Sequence, residues 1–458
     1  MALTDTAGTL MRGLGLSDPV IRLGVTGLSR AGKTVFITSL VANLLDRGRM
    51  PGLRAAADGS IVAAWLQPQP DDTVPRFDFE RHLAALTGPD PHWPEGTRHV
   101  SELRLSLRLQ PRGILSGLKR TRNLHLDIVD YPGEWLLDLR LMDRNFAQWS
   151  AEVLERMQGR PGADIFHAEI ARIEPAARFD EPTAQQLTRA YVAHLAAARD
   201  AGFSDTTPGR FLLPGEMAGS PALTFAPLPE LPDSPLWREF RRRFEAYKSR
   251  VVRPFFRNHF ARIDRQVVLV DVLGAVHAGP RAVEDMRRAM ADILSAFRPG
   301  RAGWLAQLLG TRRVERILFA ATKADHLHHT QHPRLAAILT AMLREARDRA
   351  DFQGARTEAL AIAALRSTTE EILHQDGQDF PAVRGTLMDG RQAALYPGEL
   401  PDNPAELLRP AAEGATHWLD ADYKVMNFAP APDTLRPGDG PPHIRMDRAA
   451  EFLIGDRL

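Results

Sequence analysis

Residues 27–34, with the sequence GLSRAGKT, constrain the fold of this chain more than any other feature. The segment matches G-x-x-x-x-G-K-T at every fixed position. It lies between the apolar run Ile21 to Thr26 and the amphipathic pattern Thr34 to Leu45, which is the strand-loop-helix setting of a phosphate-binding loop. The alternative is a plain glycine-containing turn between a strand and a helix. The sequence therefore predicts a site for a nucleoside triphosphate.

Each residue type in this loop has a physical role at the phosphates. Glycines allow backbone N–H groups to surround the β-phosphate, and the helix N-terminus adds the positive end of its dipole. We expect Lys33 to bridge the β- and γ-oxygens and the Thr34 hydroxyl to ligate a magnesium ion. Arg30 could stabilise the transferring charge, or it could point to solvent or bind an acidic neighbour. The residues predicted to bind the nucleotide here are Gly27, Ser29, Arg30, Ala31, Gly32, Lys33, Thr34 and Val35.

Length and composition indicate a soluble globular protein with two or three structural units. The chain has 458 residues, of which 44% are hydrophobic and 25% are charged, and its formal charge of +1 argues against a bulk polyanionic partner. The absence of cysteine excludes disulfides and cysteine-ligated zinc. Met1 to Val20 lacks the pattern of a secretory signal, and Val267 to Val276 is too short to span a membrane. We expect a cytoplasmic protein, with peripheral membrane contact left open.

Apolar runs that alternate with helical patterns predict an α/β fold with a doubly wound, mostly parallel sheet, as in G domains. Helical patterns follow several of the runs, notably at Thr34 to Leu45 and Val283 to Phe297. The run Ser101 to Gln110 alternates apolar and polar residues, which favours an edge strand. The predicted strands are Ile21 to Thr26, Leu103 to Leu109, Leu124 to Val129, Val267 to Val272, Arg316 to Ala321 and Ala359 to Ala363.

Four segments follow from this pattern. Residues 1–133 form the first part of the G domain, 134–264 a large helical insertion, and 265–380 the second part of the G domain. Residues 381–458 are predicted to form a hairpin, turning at Asp389-Gly390, and a terminal helix packed on the core. The excursion Asp46 to Thr97 contains several prolines and glycines and is expected to be rich in loops.

An acidic residue at the end of a neighbouring strand should support the magnesium ion. Asp130 ends the third run and begins a D-x-x-G segment with Gly133, whose N–H could sense the γ-phosphate. Asp271 begins a second D-x-x-G, with helix capping as its alternative role, but it ends the fourth run rather than the third. Thr97, just ahead of the strand at Ser101, is the candidate to complete the metal shell, and an ordinary turn threonine is the alternative. Thr73 and Thr87 are the other candidates for this position.

The segment Thr322-Lys323-Ala324-Asp325 matches the guanine-specifying form T-K-x-D after the fifth run. A carboxylate at Asp325 can accept the N1–H and the exocyclic amine of guanine, a donor pair that adenine lacks, while the Lys323 stem covers the base. The following strand ends near Ala364 and Leu365, where backbone donors are expected against the guanine oxygen. The sequence thus favours GTP and GDP, with Thr322, Lys323, Asp325, Ala364 and Leu365 at the base.

Glu134 follows the D-x-x-G, where many GTPases carry a glutamine that positions water. Its carboxylate could orient or deprotonate the attacking water, or it could simply begin a helix, since acidic residues favour a first turn. The predicted catalytic residues are Arg30, Lys33, Asp130, Gly133 and Glu134, and the predicted metal ligands are Thr34, Thr97 and Asp130.

Two further clusters carry weaker signals. Residues 238–257 form a basic helical pattern with an interleaved aromatic stripe, which is usually a solvated face and alternatively a surface for a protein partner or a membrane. No specific nucleic-acid site is predicted. Histidines at 326, 328, 329 and 332 have helical spacing that could hold a metal, although a polar loop is favoured because no acidic complement is evident in the sequence.

With these motifs in place, the chain resembles the YcjX-like family of bacterial P-loop stress proteins. The resemblance rests on the phosphate loop, Asp130 to Trp135, Val267 to Val272, Thr322 to Leu327, and the tail segments PHIR at 442–445 and LIGD at 453–456. It implies a G-domain-like core with a helical insertion, magnesium-dependent GTP binding and hydrolysis, and a link to stress.

Three functions remain open at this point. The first is a GTPase switch whose insertion, attached directly after the D-x-x-G, changes partner contacts with nucleotide state. The second is an ATPase or kinase-like enzyme in which T-K-x-D is accidental. The third is a binding module that is regulated by nucleotide and hydrolyses it negligibly.

Overall fold

A seven-stranded sheet forms the centre of the protein, flanked by helices on both faces. The computed structural model describes residues 18–27, 31–96, 99–110, 121–174, 176, 178–295, 314–344, 355–375, 377–418, 423, 425–431 and 438–458. The strands of this sheet are β1 (Val20–Gly27), β2 (Ile61–Gln67), β3 (Ser101–Leu109), β4 (Arg122–Asp130), β5 (Arg265–Val270), β6 (Arg316–Ala321) and β7 (Arg356–Ala361).

The strand order is β2-β3-β4-β1-β5-β6-β7. Strands β4, β1, β5, β6 and β7 pair in parallel, and β3 and β2 extend the sheet through antiparallel pairs. The predicted α/β fold with a mostly parallel sheet is therefore confirmed.

The helices are α1 (Lys33–Leu45), α2 (Arg54–Ala57), α3 (Phe79–Thr87), α4 (Glu134–Leu137), α5 (Phe146–Arg156), α6 (Ala163–Ala171), α7 (Glu181–Asp200), α8 (Gly209–Leu212), α9 (Pro235–Tyr247), α10 (Arg253–Asn258), α11 (Val272–Ala278), α12 (Pro280–Ser295), α13 (His332–Met342), α14 (Ala405–Ala412) and α15 (Met446–Ile454). Helices α1 and α15 pack on one face of the sheet, and α11, α12 and α13 pack on the other together with the insertion. None of the helices within the described ranges is both long and apolar enough to cross a membrane.

The prediction that Ser101 to Gln110 is an edge strand is wrong, because β2 pairs along its outer side. The alternation in β3 instead reflects one buried apolar face and one polar face that is exposed at Arg108. Its leucines enter the apolar core, while Arg104 on the opposite face donates to Asp127 at 2.6 and 2.8 Å. Strand β2 lies inside the excursion predicted to be rich in loops. Its short apolar run is flanked by turn residues, among them Gly59, whose φ is 73°.

The insertion contains only helices and turns among its described residues. Side-chain caps mark where its longer helices begin. Asn145 and Gln148 form a reciprocal capping box at α5, and Asp180 caps α7 by accepting from the Thr183 N–H at 2.9 Å. Its aromatic core, which includes Trp149 and Phe244, belongs to the same buried cluster as Val268 and Phe319 of the sheet. The insertion therefore shares its core with one face of the sheet.

A second, three-stranded antiparallel sheet follows β7. It comprises β8 (Thr368–Gln375), β9 (Gln378–Thr386) and β10 (Gln392–Leu395), in the order β10-β9-β8. The hairpin predicted at Asp389-Gly390 is confirmed, because β9 and β10 pair antiparallel and Gly390 adopts the left-handed region with φ at 85°. Strand β8 was not predicted from the sequence.

Candidate nucleotide-binding site

The phosphate-binding loop joins β1 to α1 at the carboxyl edge of the parallel strands. Gly27 ends β1 in close contact with β5, since a Cβ on Gly27 would lie 2.7 Å from the Leu269 carbonyl oxygen. Gly32 caps α1 in the left-handed region at φ 78°, which a residue with a side chain rarely adopts. Ala31 is buried beside it. Residues 28–30, which include the predicted Ser29 and Arg30, lie outside the described residues.

Lys33 closes this loop from inside the first turn of α1. Its ammonium group donates to the Gly27 carbonyl oxygen at 3.1 Å, and the residue is only 8% exposed. The contact holds the cation over the loop, where phosphate oxygens would be better acceptors than a neutral carbonyl. Val35 follows in the same helix.

Thr34 and Asp130 meet on one side of the loop. Strand β4 pairs with β1 so that Asp130 lies opposite Val25, and both Asp130 and Thr34 line a cavity of about 720 Å³ with Ser101. Asp130 is 2% exposed. The predicted ligand Thr97 lies outside the described residues, whereas Gly96 and His99 on either side of it line this cavity.

Asp271 has a different task. It caps α11 by accepting from the Gly274 N–H at 2.9 Å, and it forms an ion pair with Lys323 of the T-K-x-D segment. Helix capping was the alternative role for Asp271 in the sequence. The ion pair also places Asp271 beside the T-K-x-D segment.

Gly133 packs directly on the phosphate loop. A Cβ on Gly133 would lie 1.9 Å from the Gly27 carbonyl oxygen, which leaves no room for any side chain. Glu134 follows as the first residue of α4 and is 4% exposed. Its Oε2 is buried, with no hydrogen-bond partner among the residues the structure describes. A buried carboxylate oxygen without a hydrogen-bond partner, next to a phosphate loop, marks Glu134 as a candidate functional residue.

The segment after Gly133 is embedded in the insertion. Gly209, at the start of α8, approaches so closely that a Cβ there would lie 2.2 Å from the Glu134 carbonyl oxygen. Its N–H donates to Asp138 at 2.9 Å, and the Tyr247 hydroxyl donates to the other carboxylate oxygen of Asp138. Arg210 lies over the Trp135 ring, 3.2 Å from its centroid. A shift of the D-x-x-G segment would therefore reach α8 and α9.

Asp138 is a buried acid in this junction. Burial raises the pKa of its carboxyl to about 7, although the Tyr247 hydroxyl and the Gly209 N–H lower it. Burial likewise raises the pKa of Tyr247 well above its ordinary value.

The base motif forms a tight turn after β6. Lys323 adopts the left-handed region at φ 61°, and the Ala324 N–H donates to the Ile362 carbonyl at 3.0 Å. Asp325, which is 4% exposed, accepts from the Ser367 N–H at 2.9 Å and from the Ser367 hydroxyl at 2.7 Å. Both bonds go to Oδ2, and no described residue donates to Oδ1. The carboxylate is thus fixed in one orientation.

Ser367, which sequence reasoning did not select, holds the Asp325 carboxylate. The base contacts were expected at Ala364 and Leu365 from their position at the end of the following strand. In the structure Ala364 is half-buried and Leu365 is 6% exposed, while the serine two residues beyond Leu365 holds Asp325. A hydroxyl shortly after the sixth predicted strand was the available signal.

The C-terminal segment supports this turn from outside. Ile444 pairs with Ala363 through two backbone hydrogen bonds of 2.9 and 3.1 Å, and the Arg445 guanidinium donates to the Ala361 carbonyl at 3.1 Å. Asn43 of α1 donates to the Pro441 carbonyl at 3.1 Å. The segment therefore connects the base motif to the phosphate-loop helix.

Phe428 contacts one residue beside the base motif and one residue beside the cavity that contains Thr34 and Asp130. Its ring packs edge-on against the imidazole of His326, with centroids 5.3 Å apart, and its carbonyl accepts from the Trp93 indole at 2.7 Å. Burial lowers the pKa of His326, which favours its neutral form. Trp93 lines the cavity that contains Thr34 and Asp130.

The aromatic stripe of α9 is part of the insertion core. Trp237, Phe240, Phe244 and Tyr247 are all buried, so this stripe does not supply an apolar surface for a membrane. Arg243 is buried as well, in ion pairs with carboxylates of the insertion. The exposed basic residues of the predicted helix are Arg238, Arg241, Arg242, Arg250, Arg253 and Arg257.

The phosphate loop, the D-x-x-G segment and the T-K-x-D turn all lie at the carboxyl edge of one parallel sheet. Together they define a P-loop nucleotide-binding protein with a G-domain-like core. The model of the YcjX-like family matches residues 21–458, and the chain belongs to that family.

Two curated relatives support this assignment over nearly the whole length. The chain is 38% identical over 463 residues to the protein named Ras-like GTPase YcjX of Escherichia coli (strain K12), covering 96% of each chain. It is 34% identical over 472 residues to the protein of the same name from Shewanella oneidensis, covering 96% of this chain and 95% of the relative.

Proposed function

We propose that this protein binds guanine nucleotides with magnesium and hydrolyses GTP to GDP. The observation that supports guanine is the Asp325 carboxylate, which is buried and held through one oxygen by Ser367. Its Oδ1 is left to accept from a ligand, and guanine presents two adjacent donors to a carboxylate. Adenine would leave the Oδ1 atom of this carboxylate without a donor, which is costly in a buried site. Both relatives carry the name Ras-like GTPase, which agrees with this proposal.

Magnesium fits the residues beside the phosphate loop. The Thr34 hydroxyl and the Asp130 carboxylate are hard oxygen donors, and both line the same cavity. Magnesium usually takes one or two protein oxygens and leaves its other positions to water and phosphate. When bound, it would neutralise charge on the β- and γ-phosphates.

The residues of the chain supply positioning and charge. We expect the Lys33 ammonium to exchange the Gly27 carbonyl for phosphate oxygens. Gly133 is packed on Gly27, and we expect its backbone N–H to donate to the γ-phosphate. Glu134 would orient the attacking water and accept its proton as the bond between the γ-phosphorus and the leaving GDP oxygen breaks. Arg30 is proposed to stabilise the transferring charge, and Thr97 is proposed to complete the magnesium shell.

We further propose that the insertion carries the nucleotide signal to a protein partner. Glu134 and Asp138 contact Gly209 and Tyr247, so the γ-phosphate-sensing segment and the insertion share contacts. A stress-related role completes the proposal, on the resemblance to bacterial stress proteins. A cytoplasmic location is proposed because the chain contains no cysteine, which suits a reducing compartment.

The proposal is tested by titrating GDP and ADP into the purified protein with magnesium. GDP should bind at least about 100-fold more tightly than ADP. Asp325→Ala should remove this preference, whereas Asp379→Ala, at an exposed aspartate of β9, should keep it. Equal affinity of the unaltered protein for GDP and ADP would refute guanine specificity.

A second variant separates base recognition from folding. Asparagine can still accept from Ser367 through its amide oxygen, and its NH₂ group can donate to the C2 carbonyl of xanthine. Asp325→Asn should therefore bind the xanthine nucleotide in preference to GDP. A folded Asp325→Asn protein that still prefers GDP would place the guanine-binding group elsewhere.

A further inference from the structure

The turn after the base motif brings two histidines to a glutamate of the second sheet. His328 and His329 lie in the turn that leads to α13, and Glu370 lies in β8. One candidate ligand atom from each residue lies within 4.8 Å of the other two. We propose that His328, His329 and Glu370 form a binding site for a divalent transition metal of the zinc class, separate from the proposed magnesium site.

The distances suit one ion between the three groups. Glu370 Oε2 lies 2.7 Å from His329 Nδ1 and 3.8 Å from His328 Nε2. Two ligands at tetrahedral zinc are about 3.3 Å apart, because each lies roughly 2.0–2.1 Å from the metal. One of these contacts would lengthen and the other would shorten by about half an ångström around a bound ion. The candidate ligand atoms of the two histidines lie within 4.8 Å of each other.

The partners around the site already orient two of the ligands. His328 Nδ1 lies 3.0 Å from the Thr330 hydroxyl, and its side chain is 10% exposed. The Thr330 backbone N–H also donates to this Nδ1 in a long contact of 3.5 Å. Metal binding through Nε2, which faces Glu370, would require the tautomer in which Nδ1 instead donates to the Thr330 hydroxyl. Arg366 lies 3.7 Å from Oε1 of Glu370, on the other oxygen. Glu370 would therefore bind through Oε2 alone.

The two elements that carry the ligands are tied to each other. The Thr368 hydroxyl donates to the Asp325 carbonyl, and Ser367 binds the Asp325 side chain. These contacts come two and three residues before Glu370 and fix β8 against the base turn. The other histidines of the cluster have different partners: His332 contacts the Ala324 carbonyl at 2.8 Å, and His326 packs on Phe428.

The chemistry of the three ligands selects the metal. Two imidazoles and one carboxylate suit zinc and related transition ions better than magnesium or calcium, which prefer oxygen ligands alone. His329 is 64% exposed, so a fourth position can be taken by water. A bound ion would cross-link the base turn to the second sheet.

Cobalt(II) is the probe for this site, because its visible absorption bands report tetrahedral nitrogen and oxygen coordination. The protein, freed of any histidine tag and of nucleotide, is titrated with Co²⁺ and then with Zn²⁺ as competitor. We expect one Co²⁺ per chain with tetrahedral bands that Zn²⁺ removes. His328→Ala and Glu370→Gln should each weaken binding by at least about tenfold.

His374→Ala is the matched control. His374 contacts Asp379 in the same small sheet, in a histidine-carboxylate pair to which no described residue adds a third ligand. Its removal should leave cobalt binding unchanged. The proposal is overturned if the unaltered protein gives no tetrahedral spectrum, if His374→Ala abolishes it, or if folded His328→Ala and Glu370→Gln proteins bind as tightly as the unaltered chain.

Discussion

Gly133 lies against the Gly27 carbonyl so closely that a β-carbon would approach the carbonyl oxygen to 1.9 Å. Gly27 ends the strand before the phosphate loop, and Gly133 ends the D-x-x-G segment. The two segments therefore meet through backbone atoms alone. Neither flexible side chains nor a rotamer change can relieve a substitution at this contact.

Gly133→Ala should accordingly separate the two segments. Overpacking of this kind usually costs about 1–3 kcal/mol, and the displaced loop should bind nucleotide more weakly. Urea unfolding and GDP titration with magnesium measure the two effects. Arg189→Ala, at an exposed position of α7 in the insertion, is the control and should leave both quantities unchanged. Unchanged stability and GDP affinity in Gly133→Ala would contradict the described packing.

Ser367→Ala should weaken GDP binding by about tenfold or more. The variant loses a hydroxyl hydrogen bond to a buried carboxylate, and such bonds to charged groups contribute about 1.5–3 kcal/mol. The backbone N–H of residue 367 would still hold Asp325, so the protein should remain folded. Ser367→Thr restores a hydroxyl and should restore most of the affinity. If the Ser367→Ala and Ser367→Thr variants bind GDP equally well, the Ser367 hydroxyl does not position Asp325.

Glu134→Ala tests the proposed catalytic carboxylate. Alanine removes both the proton acceptor and the group that orients water, so the single-turnover rate of GTP hydrolysis should fall about 100-fold while GTP affinity changes little. Glu216→Ala, at an exposed position in the insertion, is the control. A rate equal to that of the unaltered protein would leave Glu134 as a residue that only begins the helix.

Asp138→Asn should change how stability depends on pH. The pKa of Asp138 is raised to about 7 in the folded protein by burial, so the folded state binds the proton more tightly than the unfolded chain. The stabilisation that comes from the protonated Asp138 carboxyl is fully present below about pH 4 and is lost as pH rises through 7. Asparagine keeps both hydrogen-bonding partners without ionising.

Chemical denaturation of both proteins from pH 4 to pH 8 measures this effect. As pH rises, the free energy of unfolding of the variant should increase relative to that of the unaltered protein, by up to about 4 kcal/mol above pH 7. A stability difference that is independent of pH would show that Asp138 does not titrate in this range.

Local patterns in the sequence predicted most of the core. The six runs correspond to β1, β3, β4, β5, β6 and β7. Parallel strands that are buried on both faces, such as β5 and β6, leave continuous apolar segments. Strand β3 is antiparallel, and its alternating leucines marked it instead. Strand β2 escaped prediction because its seven residues are mostly half-buried and lie between turns. β8 escaped because exposed polar residues dominate it.

The site divides in the same way. Motifs with fixed spacing gave the positions of Lys33, Asp130 and Asp325, whereas contacts between distant segments left no local signal. Trp93 and Phe428 are 335 positions apart in the sequence. Their hydrogen bond depends on how two connecting segments outside the sheet pack together in the folded protein. Glu370 completes the histidine cluster from a different sheet, so no spacing rule within the cluster could reveal it.

The C-terminal segment has a consequence for the order in which the protein can mature. Asn43 of the phosphate-loop helix and Pro441 of the tail are 398 positions apart, yet they share a hydrogen bond. During synthesis the phosphate loop leaves the ribosome long before Ile444 can pair with Ala363 or α15 can cover its face of the sheet. A nascent chain therefore exposes part of the apolar surface of this face until α15 has been synthesised, and that surface is available to chaperones in the interval.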